Sequence, residues 1–175
     1  MQIESEGMKV KRDRASRAAL VTTITILASI AIWFVVLQPA IQSDMRSIAL
    51  GKEENYVKAA DLAMIYYLAD HGDRFPQLSG DLTPLLKPYM KDPDAVSAVN
   101  RFTWNNKLSG MKTEELYDTE ELWMLYSKAP GTNMYAVGFA GSHVHYAAPR
   151  YLAHVLQQGE QILRDSPEHH RLLRE

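Results

Sequence analysis

The segment AALVTTITILASIAIWFVVL, Ala18 to Leu37, contains no charged residue. At 1.5 Å rise per residue, about 20 helical residues reach about 30 Å, the thickness of a bilayer's hydrocarbon core. The run predicts a transmembrane helix over residues 18–39, with a short tail before it and one domain of ordinary size, residues 40–164, after it. A cleaved signal peptide is the rival reading. Its apolar region is normally only about 7–15 residues long and ends at a small-residue cleavage site, so the length here favours a retained anchor.

Charge sets the orientation. Lys9, Lys11, Arg12, Arg14 and Arg17 crowd the segment before the run, with Asp13 the only acid among them. Beyond the run come Gln42, Asp44, Arg46, Lys52, Glu53 and Glu54, where the basic excess is gone. The positive-inside rule puts residues 1–17 in the cytoplasm as a basic tail and the large domain on the other side. Arg12, Arg14 and Arg17 then lie at one membrane interface, and Trp33 is the aromatic expected near the other.

Composition closes off several chemistries. The formal net charge is −2, and no basic face dominates after the run, so no nucleic-acid partner is expected. The chain has no cysteine. Disulfides, thiolate metal sites, covalent c-type haem, a lipoprotein anchor and cysteine nucleophiles are all excluded.

Within the run, Thr22, Thr25 and Ser29 share one helical face. Small hydroxyl residues there would let a neighbouring helix approach and would offer hydrogen bonds across the contact. The competing reading is that each hydroxyl bonds back to a carbonyl of its own helix. The bulky Ile26, Ile30, Trp33 and Phe34 lie beside this stripe, which suggests one protein face and one lipid face.

Pro39 follows and is expected to kink the helix without ending it. From Ala40 to Ala69 the spacing is helical again: Ile41, Met45, Ile48, Tyr56, Ala60, Ala63 or Met64, and Tyr67 form an apolar stripe. Lys52, Glu53, Glu54, Lys58 and Asp61 are assigned to the opposite face. Gly51 weakens this helix by about 1 kcal/mol relative to alanine, and Gly72 is placed to cap its end. A short helix around DLTPLLKPYM follows, with Asp81 as candidate N-cap and Lys91-Asp92-Pro93-Asp94 ending it. Strand-like runs cover Arg101 to Trp104, Leu122 to Tyr126, Met134 to Ala140, and His143 to Tyr146. Thr113-Glu114-Glu115-Leu116 reads as one capped helical turn. Gly141-Ser142 reads as a two-residue hairpin turn of the Gly-X type. Pro149 opens a last amphipathic helix, and residues 165–175 form a tail or a short helix started at Ser166-Pro167-Glu168. Helix, antiparallel strands and helix in this order make an α+β domain: a membrane helix continuing into a long amphipathic helix that packs on a small sheet.

YYLADHGDRFP, Tyr66 to Pro76, joins a tyrosine-rich helix end to an acidic glycine cap and Arg-Phe-Pro. LLKPYMKDPDA, Leu85 to Ala95, WNNKLSGMK, Trp104 to Lys112, LWMLYSKAPG, Leu122 to Gly131, and VGFAGSHVHY, Val137 to Tyr146, follow in order. Over roughly residues 55–147 this series resembles the type IV pilin-like, type II secretion pseudopilin-like proteins of planctomycetes, verrucomicrobia and their relatives. The resemblance implies a pilin-like domain in the periplasm and a bacterial inner-membrane anchor. The chain also departs from that family. Gly7 precedes the charged KVKRDR rather than an apolar run, and Ala18 to Leu37 holds no acid. The prepilin processing signal and the assembly glutamate are therefore missing. Gly141-Ser142 stands where the family has Asp-Gly, and the cysteine usual after Lys-Asp-Pro is absent.

His143 and His145 alternate on one strand and leave the same face, so they are candidate metal ligands, with His154 from the last helix as a third. The bland reading is a polar strand face. Asp70, His71 and Asp73 form a polar cluster that could suggest calcium binding or acid–base work, but they read first as a helix cap and turn, and His169-His170 as solvated tail. Trp104, Trp123, Tyr126, Tyr135 and Phe139 read as core or sheet-face residues. No catalytic constellation and no cofactor motif is present. The leading expectation is a non-enzymatic, single-span structural or docking subunit of a larger membrane complex. Its partners would be other membrane subunits, met through the span and the periplasmic domain, and the lipid bilayer. The alternatives are a divergent pseudopilin of a type II secretion or pilus-like system, and a metal-binding periplasmic domain using His143 and His145.

Overall fold

The computed structural model describes residues 21–116 and 118–165. The basic tail with Arg12, Arg14 and Arg17, and the segment from Ser166 with His169-His170, lie outside the described residues. The chain divides into two compact units, Met1–Met45 and Arg46–Glu175.

In the first unit, residues 21–32 form helix α1, and Trp33–Leu37 form a π-helical turn that leads into helix α2, Gln38–Asp70, whose residues from Arg46 belong to the second unit. The π-turn has a local cause. Pro39 lacks an N–H, and its ring would strike the carbonyl one turn back in a regular α-helix. Widening the preceding turn relieves that clash, and the Gln38 N–H reaches Trp33 O, five residues back. The helix therefore passes Pro39 without ending. Its most apolar window is 0% buried, and among the described residues it is the one helix long and apolar enough to cross a membrane.

The second unit is an α+β domain. Its sheet is an antiparallel meander in the order β1–β2–β3–β4, with β1 Thr103–Trp104, β2 Trp123–Lys128, β3 Tyr135–Phe139 and β4 Val144–Ala147. Val137 pairs with Tyr126 on one side and His145 on the other, so β3 is central. Its alternating side chains serve two cores. Ala136 joins the cluster that contains Val57, Ala60 and Met64 of α2. Val137 and Phe139 join Leu152 and Val155 of the helix α5, Pro149–Asp165. A strand covered on both faces needs apolar residues at nearly every position, which is what Tyr135 to Phe139 supply.

The α2 face toward the sheet is Glu53, Tyr56, Val57, Ala60, Asp61, Met64 and Leu68, spaced by three and four residues. Its small side chains, and Gly138 opposite, set the spacing of helix and sheet. A Cβ on Gly138 would lie 3.1 Å from Leu125 Cδ2 and 3.2 Å from Val57 Cγ1. The helix ends at Gly72 in a Schellman motif: Gly72 has φ +68, and the Asp73 N–H donates to Leu68 O at 2.8 Å. Short helices α3, Thr83–Leu86, and α4, Pro93–Ala98, complete this side.

Several expectations need correction. Glu53 and Asp61 are not on the solvent face of α2; they are buried at 2% and 3% exposure. Both sit one helical turn from Val57, so geometry puts them on the core face whatever their charge. Ile41 and Met45 in the first unit and Ile48 in the second are exposed and form no buried stripe. The core-facing part of α2 begins only at Glu53. Asp92-Pro93 opens α4 instead of merely ending a helix, with Asp92 Oδ1 accepting from the Asp94 N–H at 2.9 Å. Aspartate before proline at the first helical position is itself a start signal.

The β3–β4 turn also differs. The Ser142 N–H donates to Phe139 O, the Phe139 N–H donates to His143 O, and Ser142 carries φ +70. Ala140, Gly141 and Ser142 thus form a three-residue loop ending in a left-handed residue, not a two-residue turn. Gly141 serves closeness instead: a Cβ there would lie 3.0 Å from Glu120 Cα. Ser142→Gly is therefore expected to stabilise the protein by about 1 kcal/mol in denaturant unfolding. A loss of stability would contradict the assigned turn.

Gly159 of α5 lies over the Trp123 indole, where an added Cβ would come within 2.4 Å of Cδ1. Gly159→Ala is expected to destabilise by roughly 1–3 kcal/mol, because ring and helix must separate. Thermal unfolding checks this, and an unchanged midpoint would show that α5 does not seat on Trp123.

Candidate functional site

The apolar helix of the first unit is the first candidate. Val35 is 73% exposed and Trp33 50%, so these side chains are available to a solvent other than water. Thr25 Oγ1 donates to Val21 O and Ser29 Oγ to Thr25 O, both at 2.9 Å. Those two hydroxyls bond back along their own helix. For Thr25 and Ser29 this is the competing reading of the Thr22, Thr25 and Ser29 stripe, in which hydroxyls bond within their own helix.

The second candidate is the histidine pair beside the β3–β4 turn. His143 stacks on Phe139 with ring centroids 4.6 Å apart, and His145 lies edge-on to His143 at 4.9 Å. Both leave the α5 face of the sheet, as their alternation predicts. His143 Nδ1 is 3.2 Å from Glu120 Oε2, close enough for an ion pair on protonation but off the line of a hydrogen bond. His154 on α5 neighbours Tyr151 at 6.4 Å. Among the described residues no three His, Cys, Asp or Glu side chains converge as a metal site would require. The structure brings His143 and His145 together without gathering His154 to them.

The third candidate was missed in the sequence: the buried acids of α2. Glu53 accepts from Ser127 Oγ of β2, and Arg101 Nη2 lies 3.4 Å from its Oε2. Lys52 and Arg101 flank the Tyr56 ring at 5.4 Å and 5.9 Å. Two turns further along, Asp61 has no such partner. Its Oδ1 is buried without a hydrogen bond, and burial pushes its carboxyl up to about 7. On the helix flank between them, Lys58 and Tyr146 hold the Glu54 carboxyl below its ordinary range. Burial, aided by Glu54, pushes the Tyr146 hydroxyl up to about 12. The signal for Glu53 was available: Ser127 alternates onto the α2 face of β2, where a hydroxyl needs a polar partner.

Asp70, His71 and Asp73 form a cap. Tyr89 Oη donates to Asp70, His71 stacks on Tyr67 at 3.9 Å, and Asp73 adopts φ +56 beside Gly72. The loop after this cap pairs with the Asn-rich loop. The Phe75 N–H donates to Met111 O, the Gly110 N–H to Phe75 O, and the Leu78 N–H to Ser109 Oγ. Buried Asn105 anchors the latter loop by donating from Nδ2 to Trp123 O. Trp104 and Phe139 are buried, while Trp123, Tyr126 and Tyr135 are half-buried. Compared with protein-family models, curated proteins and solved structures, the chain finds no match.

The Glu53–Arg101 pair makes a testable contrast. Arg101→Met strands a carboxylate that is 2% exposed and is expected to cost about 2–3 kcal/mol at pH 7, moderated by water reaching the half-exposed arginine site. Glu53→Gln keeps an acceptor for Ser127 and should cost about 1 kcal/mol. The double substitution should be more stable than Arg101→Met alone. Equal losses in all three, measured by denaturant unfolding, would show that the pair is not coupled.

Proposed function

We propose that this chain is a non-enzymatic, single-span structural or docking subunit of a larger assembly in a bacterial inner membrane. Its N terminus would be cytoplasmic and its pilin-like α+β domain periplasmic. The observation that carries this reading is the uncharged helix whose apolar window is 0% buried. Leu, Ile, Phe and Val each favour insertion by about 0.3–0.6 kcal/mol at the centre of a span, whereas one Lys or Asp costs about 2.5–3.5 kcal/mol. A run of the former with none of the latter favours a bilayer. The basic residues before it and their scarcity after it support the orientation.

Two further observations support the pilin-like part. The loops that carry Arg-Phe-Pro and Leu-Ser-Gly hydrogen-bond to each other, so motifs distant in sequence meet in one structural unit. Ser142, which stands where the resembled family has glycine, adopts the positive φ that favours glycine. The absence of the processing glycine and the glutamate favours a permanent anchor over a filament subunit.

Purification of the full chain from its native membrane in mild detergent tests this. Co-migration with defined membrane proteins, lost when the span is replaced by an unrelated apolar helix or the domain surface is altered, is the expected result. A monomer with no stoichiometric partner would overturn it.

A further inference from the structure

Asp61 is a buried acid for which the proposed function gives no use. It lies mid-helix on the face of α2 that seats against β3, at 3% exposure. Its Oδ1 would lie 3.4 Å from a Cβ placed on Gly138, so the carboxyl faces the strand at that glycine. Among the described residues no charged group is paired with it. On α2, Lys58 is paired with Glu54. On β4, Tyr146 also turns to Glu54. On the far side of α4, Arg101 goes to Glu53, whose other oxygen takes Ser127 of β2. His143 and His145 occupy the opposite face of the sheet, with Phe139.

An unpaired carboxylate in such a site is strongly disfavoured, whereas a protonated carboxyl is a neutral polar group whose burial costs far less. We propose that Asp61 is a proton-controlled lock between α2 and the sheet. With the proton in place, the helix seats firmly against Gly138; when the proton leaves to solvent, openings of the seam between α2 and β3 that admit water to the carboxylate become more frequent. The device works independently of the proposed membrane role, and acidification tightens it.

The direction follows from proton linkage. The carboxyl titrates at 3.8 in the opened chain and at about 7 when seated, so the seated form binds more protons between those values. Stability is therefore lost as pH rises through that window and levels off above about 7. Between about pH 5.5 and 8.5 the opened population should rise about thirty-fold. Amide hydrogen exchange of the full chain in detergent micelles, corrected for intrinsic exchange chemistry, reads this in α2 segments around Asp61. A carbon-13 titration of the Asp61 carboxyl in the unmodified protein reads the proton itself. The expected result is opening that grows about thirty-fold in step with a carboxyl titrating near 7. In Asp61→Asn, or in Asp61→Leu where the amide prevents folding, the opening should be flat with pH. A wild-type carboxyl titrating near 4, or pH-dependent opening that persists in a folded variant, overturns the proposal.

Discussion

The close seat of α2 on the sheet is the interaction on which the second unit depends. Val57 meets β3 at Gly138, where an added Cβ would press on it and on Leu125 at 3.2 and 3.1 Å. That seat fixes which residues of α2 are interior, and it explains why Glu53 and Asp61 are there. A helix brought this close buries whatever its periodicity places on the facing stripe. The two acids meet that burial differently. Glu53 recruits Ser127 and Arg101, while Asp61 Oδ1 is buried without a hydrogen bond. The same helix thus carries one satisfied acid that fixes neighbouring elements and one unsatisfied acid that makes their packing conditional.

The opposite face follows a parallel rule. Gly159 lets α5 lie on Trp123 as Gly138 lets α2 lie on β3. Here the penalty is again polar, since the indole Nε1 of Trp123 is buried without a partner. Both helices gain apolar contact with a thin sheet by tolerating a polar atom left unpaired. The small size of the domain makes that exchange reasonable, because its core is built from short strands and has few alternative surfaces to bury.

Much of this was legible in the sequence. The uncharged run, the helical spacing of Tyr56, Ala60 and Met64, the strand positions and the Gly72 cap all follow from local physics, and local physics governs them in the structure. What was not legible depended on contacts between distant segments. Glu53 and Asp61 were assigned to solvent because charge usually is, yet what faces them comes from distant segments: Arg101 and Ser127 lie 48 and 74 residues from Glu53. Ser142 took the left-handed position because the turn is a three-residue loop, whose length the Gly-Ser dipeptide alone does not reveal. For the candidate sites, the alternation of His143 and His145 predicted their shared face, but whether His154 joined them depended on where α5 lands. The resemblance to pilin-like proteins rests on ordered short motifs, and no family or relative adds to it.

On the proposed reading, the span and the domain answer different demands. The span must satisfy lipid, which its exposed apolar side chains and internally bonded hydroxyls do. The domain must present a folded surface on the far side of the membrane. The most direct measurement of that claim is protease accessibility in spheroplasts combined with alkaline extraction of membranes. The account predicts that the intact chain stays in the membrane pellet and that external protease removes the C-terminal domain while leaving a short fragment containing the N terminus. A chain released by alkali, or a domain protected until the membrane is dissolved, would contradict it.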